Sequence, residues 1–179
     1  HYLRFKNDAI MISYNTLNID NPKLNCRLKG YENYSPKRII LDKYLKISKD
    51  SYIFNTIKKK NTIIFHNSLN LLKIKILKKK GAILIRSKLN KNKMFDLKII
   101  LKKIFSLGIR NLLVEGGDKI TKNMLKNRLI NQFYLFKSSK ILPKNKKFVF
   151  FTSNNILNEI YKIKSKISSK LAKDKITIY

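Results

Sequence analysis

Glu115 is the side chain with the clearest chemical address in this chain. It follows the apolar run 112–114 directly and precedes Gly116 and Gly117. Three apolar residues are too few for a helix and suit a buried strand. Behind the glycines, Ile120, Met124, Leu125 and Leu129 recur at helical spacing. Strand, Glu-Gly-Gly, helix places a carboxylate at the carboxyl end of a strand, where open α/β sheets bind ligands. Glycines let backbone N–H groups approach a ligand closely, and the helix start behind them favours an anion such as phosphate. The same residues also make an ordinary strand-to-helix turn, because Gly-Gly is a general turn signal. Their spacing is neither that of a dinucleotide fingerprint nor that of a P-loop.

Arginine supplies the second set of candidates. Lys and Arg together number 41, yet Arg occurs only at positions 4, 27, 38, 86, 110 and 128. Lysine serves for general surface charge, but not where a planar two-point donor must grip phosphate or carboxylate. The scarce arginines are therefore enriched candidates for specific contacts. Cys26 is the sole cysteine; it excludes an internal disulfide framework and a cysteine-cluster metal site, and reads as a small buried residue. No metal site is expected, and a reducing, cytoplasmic setting is the default.

The elements that must position these groups alternate along the chain. Residues 1–6 read as the end of a helix and 8–13 as a buried strand. Asn15 and Thr16 start a turn or short helix, and a polar loop runs over 18–29. Strands are expected at 38–41, 52–54, 62–65 and 82–85. His66, at a strand end, suits a structural role better than a catalytic one. Residues 67–80 fit a strand or a helix equally well. Asp96 caps a helix over 97–107 that Gly108 stops. After the Glu-Gly-Gly segment come strands at 132–136 and 146–151, a helical turn at 154–160, an unassigned stretch at 163–171 and a final edge strand at 174–179. Early strand–helix alternation with hairpin-like strands at the end predicts an α/β sandwich around a mixed sheet.

At 179 residues and 44% hydrophobic content the chain forms a single domain with a sizeable core. No apolar run reaches the ~18 residues of a membrane span. The net charge of +31 is extreme. It points either to polyanion binding or to the Lys, Asn and Ile bias of an AT-rich genome. The lysines are spread from Lys6 to Lys175 without regular aromatic interleaving, which favours the compositional explanation over a specific nucleic-acid role.

Two blocks then match a known pattern in the right order. The first holds Arg4, Asp8-Ala-Ile-Met-Ile, Asn15-Thr16, and Asp20-Asn-Pro22-Lys-Leu24-Asn-Cys-Arg27. The second holds Arg38-Ile-Ile-Leu-Asp42 and Gly108-Ile-Arg-Asn-Leu-Leu-Val-Glu115-Gly-Gly117. Together they resemble the riboflavin-biosynthesis reductase domain, over most of the chain to about Pro143. The resemblance implies a dihydrofolate-reductase-like three-layer sandwich and an NADPH-dependent reduction of a ribosylaminopyrimidine 5′-phosphate to its ribitylamino form. It also implies a fused deaminase domain upstream, and a homodimer is in keeping with the family. His1 in place of a starting Met fits a chain cut from something longer, with the opening strand of the sheet missing. By position, Arg4, Leu24, Arg27 and Glu115 resemble substrate contacts, with Glu115 at the reacting centre. Thr16 and Asp20 resemble cofactor contacts, and Gly117, Asp118, Lys119, Ile120 and Thr121 the pyrophosphate-binding helix start. Arg4 and Arg27 suit a phosphorylated substrate better than a pterin. Asn21, Lys43 and Asp118 depart from the family pattern, and Asp118 brings negative charge near the expected pyrophosphate. The alternative reading is a basic polyanion-binding protein on a decayed reductase fold.

Overall fold

The computed structural model describes residues 1–58, 60–138, 152–168 and 174–179. They form two compact units, His1–Gly117 and Asp118–Tyr179.

The first unit is built on five parallel strands: β1 (Ala9–Ser13), β2 (Lys37–Leu41), β3 (Thr62–His66), β4 (Ile83–Arg86) and β5 (Leu112–Val114), in the order β4-β3-β2-β1-β5. Parallel sheets are covered on both faces, so their strands read as continuous apolar runs. That is why these segments were recognisable. Ile10 lies opposite both Arg38 and Leu113, and Ile40 opposite Ile12 and Ile64. This register puts Ile10, Ile12, Ile40 and Ile64 on one face, in one core with Leu17, Leu24, Ile53 and Leu77. Met11, Ile39 and Phe65, at the alternate positions, are equally buried.

The described residues of this unit hold five α-helices, α1 (Tyr2–Lys6), α2 (Tyr14–Asp20), α3 (Tyr52–Asn55), α4 (Leu71–Lys79) and α5 (Leu97–Ser106), and a 3-10 turn at Glu32–Tyr34. Asp96 caps α5 as expected, accepting from the Lys98 and Ile99 N–H groups, and Gly108 follows it at φ +80°. The short strand expected at 52–54 is instead helix α3. The Ser51 hydroxyl accepts from Phe54 N–H and the Asn21 side chain from Tyr52 N–H, so caps from two places satisfy the backbone without a sheet partner. The ambiguous 67–80 stretch contains helix α4, capped by Asn70. It buries Leu77 and leaves Leu71 and Leu72 exposed.

The second unit contains α6 (Asp118–Lys126), β6 (Tyr134–Lys137), α7 (Asn154–Ile160), β7 (Ser165–Ser168) and β8 (Lys175–Ile178). Its antiparallel sheet has the order β6-β8-β7. The final strand, expected at an edge, is therefore central. Its partner β7 lies in the Ser/Lys-rich stretch, where the pattern carried no period to read. The strand expected at 146–151 lies outside the described residues. Leu125, Leu157 and Tyr179 make this unit's core. Among the described residues no helix is long and apolar enough to cross a membrane.

His66 closes β3 and is buried, with Nδ1 unpartnered. Burial pushes its pKa down from the ordinary 6.5; Arg86 and Lys78 act in the same direction, while a backbone hydrogen bond at Ser68 and the Asp42 carboxylate oppose it. The unfolded chain therefore takes up this proton first as pH falls. The stabilisation is whole above the unfolded imidazole's pKa and is lost as pH drops through the lowered folded value. Denaturant midpoints measured from pH 7.5 down to about 5 should fall less steeply in His66→Gln than in the wild type. Parallel curves would exclude His66 as the cause.

Candidate active site

Glu115 is positioned by backbone. Its N–H donates to Met11 C=O at 3.1 Å, extending the β1–β5 ladder one residue past the strand. Arg4, on the last turn of α1, reaches it across the chain. Nε donates to Oε1 at 2.9 Å and Nη2 to Oε2 at 2.7 Å, a two-point clamp of the kind only guanidinium makes. Nη1 donates to the Asn25 carbonyl at 3.2 Å, joining the 21–27 loop to the clamp. Hydrogen bonding to Glu115 holds the Arg4 pKa above its ordinary value, against the opposing effect of burial. Asp8, the nearer carboxylate in sequence, is engaged elsewhere: it accepts from the Arg110 and Asn111 N–H groups, both at 2.8 Å.

The 21–27 loop has an unusual backbone. Asn21 and Leu24 sit at φ +43° and +53°. For a bulky side chain such as Leu that conformation costs on the order of 1–3 kcal/mol, and such costs cluster at functional sites. The Leu24 side chain is buried in the core, so contact with a ligand is left to its backbone. Asn21, not Asp20, secures the turn, through Tyr52 N–H at 2.7 Å. Arg27 is exposed and faces His1, with Nε 3.1 Å from Nε2 and its N–H 3.2 Å from Nδ1. A neutral imidazole has one acceptor nitrogen, so only one of these contacts is a hydrogen bond at a time. Cys26 is buried, its N–H donating to the Ser35 hydroxyl.

Of the residues singled out in the sequence, the structure thus joins Arg4 and Glu115, puts the Leu24 side chain in the core, and leaves Arg27 with His1. The Asn25 carbonyl and His1 were missed. A carbonyl carries no side-chain signal, and His1 has no motif around it.

Thr16 and Asp20 are four apart on α2, hence on one helix face. The Thr16 hydroxyl lies 3.1 Å from that of Ser13, and Asp20 is exposed. A Cβ built on Gly117 would meet only Thr16 Oγ1, at an ordinary contact distance of 3.8 Å, so Gly117 stands beside Thr16. In the second unit, Asp118 opens α6 and accepts from the Thr152 hydroxyl at 2.9 Å and the Ser153 hydroxyl at 3.4 Å. Its charge is committed to structure inside that unit. Lys119 is exposed, and Ile120 and Thr121 are half-buried. Lys43 donates to the Lys93 carbonyl at 3.1 Å. No group of three metal-ligating side chains occurs among the described residues.

The parallel sheet flanked by helices, with a clamped carboxylate past the end of β5, places the first unit among α/β domains and is in keeping with a dihydrofolate-reductase-like fold. Within that class, the chain belongs to the RibD C-terminal domain family, whose pattern matches residues 1–176. A Debaryomyces hansenii relative, 2,5-diamino-6-ribosylamino-4(3H)-pyrimidinone 5′-phosphate reductase, is 34% identical over 70% of this chain and 55% of its own length. The riboflavin biosynthesis protein RibD of Aquifex aeolicus is 35% identical over 79% of this chain and 38% of its own. The chain thus spans about half or less of the length of these relatives. Two solved structures share the fold. The riboflavin biosynthesis reductase Rib7 of Saccharomyces cerevisiae has a TM-score of 0.74 at 23% identity, covering 99% of this chain and 76% of that one. Acinetobacter baumannii RibD has a TM-score of 0.75 at 18% identity, covering 99% and 48%.

Proposed function

We propose that this chain reduces a ribosylaminopyrimidine 5′-phosphate to its ribitylamino form with NADPH, as a reductase of riboflavin biosynthesis. The observation that carries the reading is the Arg4–Glu115 clamp. It brings together two residues that the family resemblance marks as substrate contacts and that lie 111 positions apart. The clamp holds the Glu115 carboxylate in one orientation, ready to accept hydrogen bonds from a ring or sugar donor of the substrate. Three of the five Arg4 N–H donors are already used, so its first task is to orient Glu115, and the exposed Arg27 is freer to meet the 5′-phosphate.

The residues present fit a nicotinamide dinucleotide. Gly117 stands beside Thr16, and Asp20 shares the Thr16 face of α2. Thr16, Asp20 and Gly117 are the proposed holders in the first unit. The cofactor supplies the hydride when bound; the protein's part is to orient and to exclude water.

The test is NADPH consumption by the purified protein with 5-amino-6-(5-phosphoribosylamino)uracil, and in parallel with its undeaminated diamino counterpart. Turnover that requires one of these pyrimidines and is faster with NADPH than with NADH is the expected result. Absence of turnover with either substrate and either cofactor would overturn the reading. Tight, steeply salt-dependent binding of DNA without cofactor binding would favour the polyanion-binding alternative.

A further inference from the structure

Arg38, near the start of β2, is 6% exposed. Its Nη1 donates to the Thr56 hydroxyl at 2.7 Å, and its Nη2 to the Thr56 carbonyl at 2.8 Å and to Asn61 Oδ1 at 2.9 Å. All three acceptors are neutral, and no carboxylate among the described residues pairs with it. Buried charges are ordinarily paired, because a lone one has lost its water without gaining a counter-charge. Burial accordingly pulls the guanidinium pKa down, and only Tyr52 opposes this. Two N–H donors, including Nε–H, remain without a partner.

Arg38 lines a cavity of about 410 Å³ together with Lys23, Lys58, Ser35, Asn55 and Asn61. No Asp or Glu lines it, so its wall carries three cationic side chains and no anionic one. Lys23 Nζ stands 5.6 Å from the centre of the Tyr52 ring, another part of the wall. Leu24 and Asn25 line it too, so it borders the loop whose Asn25 carbonyl meets Arg4, whereas Arg4, Arg27 and Glu115 themselves do not line it. A buried guanidinium with N–H groups still to be satisfied, and with ammonium, amide and hydroxyl groups around it, is the chemistry that recognises a phosphate group. We propose that this cavity is a phosphate-binding site with donors other than those of the Arg4–Glu115 site, with Arg38 as its fixed donor and Lys23 and Lys58 as its flexible ones. Its ligand is inorganic phosphate or the phosphate of a small monoester.

The competing assignment is that Arg38 only ties the Thr56–Asn61 segment to the sheet. The scarcity of arginine makes the two separable, because six Nε–H signals are readily resolved and assigned by NMR. Inorganic phosphate is titrated into the full chain against chloride at constant ionic strength. The expected result is a saturable shift of the Arg38 Nε–H signal. In Lys23→Ser/Lys58→Ser the apparent dissociation constant should rise about fivefold or more, since the rim charges are lost while the Arg38 clamp stays. In Glu115→Gln the Arg38 response should be unchanged. Ribose 5-phosphate binding more tightly than phosphate assigns the monoester; equal or weaker binding assigns the free ion. An Arg38 signal that does not move, a shift that grows without saturating, or an unaltered constant in the double variant would each overturn the proposal.

Discussion

Glu115→Gln should lower pyrimidine-dependent NADPH consumption by about a hundredfold or more, because a preorganised polar group at a reacting centre is typically worth 10²–10³ in rate. The substitution keeps the shape and removes the charge. Glutamine offers Arg4 one acceptor oxygen and one NH₂ group, and the NH₂ would face a guanidinium donor. The two-point clamp at 2.9 and 2.7 Å then cannot form on both atoms. The loss should fall on turnover more than on the fold. The Glu115 side chain is 37% exposed, and a pair that wet contributes little net stability. The check is the turnover rate at saturating substrate, read beside the denaturant midpoint. A rate within tenfold of wild type, with the fold intact, would remove Glu115 from the reacting centre. A collapsed midpoint would recast the clamp as structural.

Phe65→Ala should cost about 3–5 kcal/mol of folding stability, the usual range for emptying a fully buried aromatic position. Phe65 is completely buried in β3, with Leu41 on one neighbouring strand and Ile85 on the other. Strands on both sides restrict how far the backbone can close the cavity, which places the effect in the upper part of that range. Against a typical total of about 5–15 kcal/mol, the variant should be partly unfolded or close to it at ambient temperature. Urea unfolding followed by circular dichroism measures the difference. A cost below about 1.5 kcal/mol would mean that the sheet closes around the gap, and that Phe65 does not anchor this face.

The first unit was largely legible because its signals are local. Residues 8–13, 38–41, 62–65 and 82–85 read as strands, since parallel strands covered on both faces are apolar at most positions. The ends of α5 were legible for the same reason: Asp96 and Gly108 act within a few residues of where they stand. Glu115 could be placed at the end of a strand from its neighbours alone, and the family resemblance was carried by contiguous blocks. Residues 52–54 were misread because half of what makes them helical, the Asn21 side chain at Tyr52 N–H, comes from 31 positions away.

What the sequence determined by itself was thus most elements of the first unit, the carboxylate at the end of β5, and the family. Tertiary structure alone decided the partners. Arg4 pairs with Glu115 rather than the nearer Asp8, Arg27 faces His1, β8 lies between β6 and β7, and Arg38 is buried without a carboxylate. Period and capping are written in neighbouring residues and can be read along the chain. Which charge meets which, and which strand lies at an edge, is set by the register and packing of segments tens of residues apart, and no local pattern encodes it.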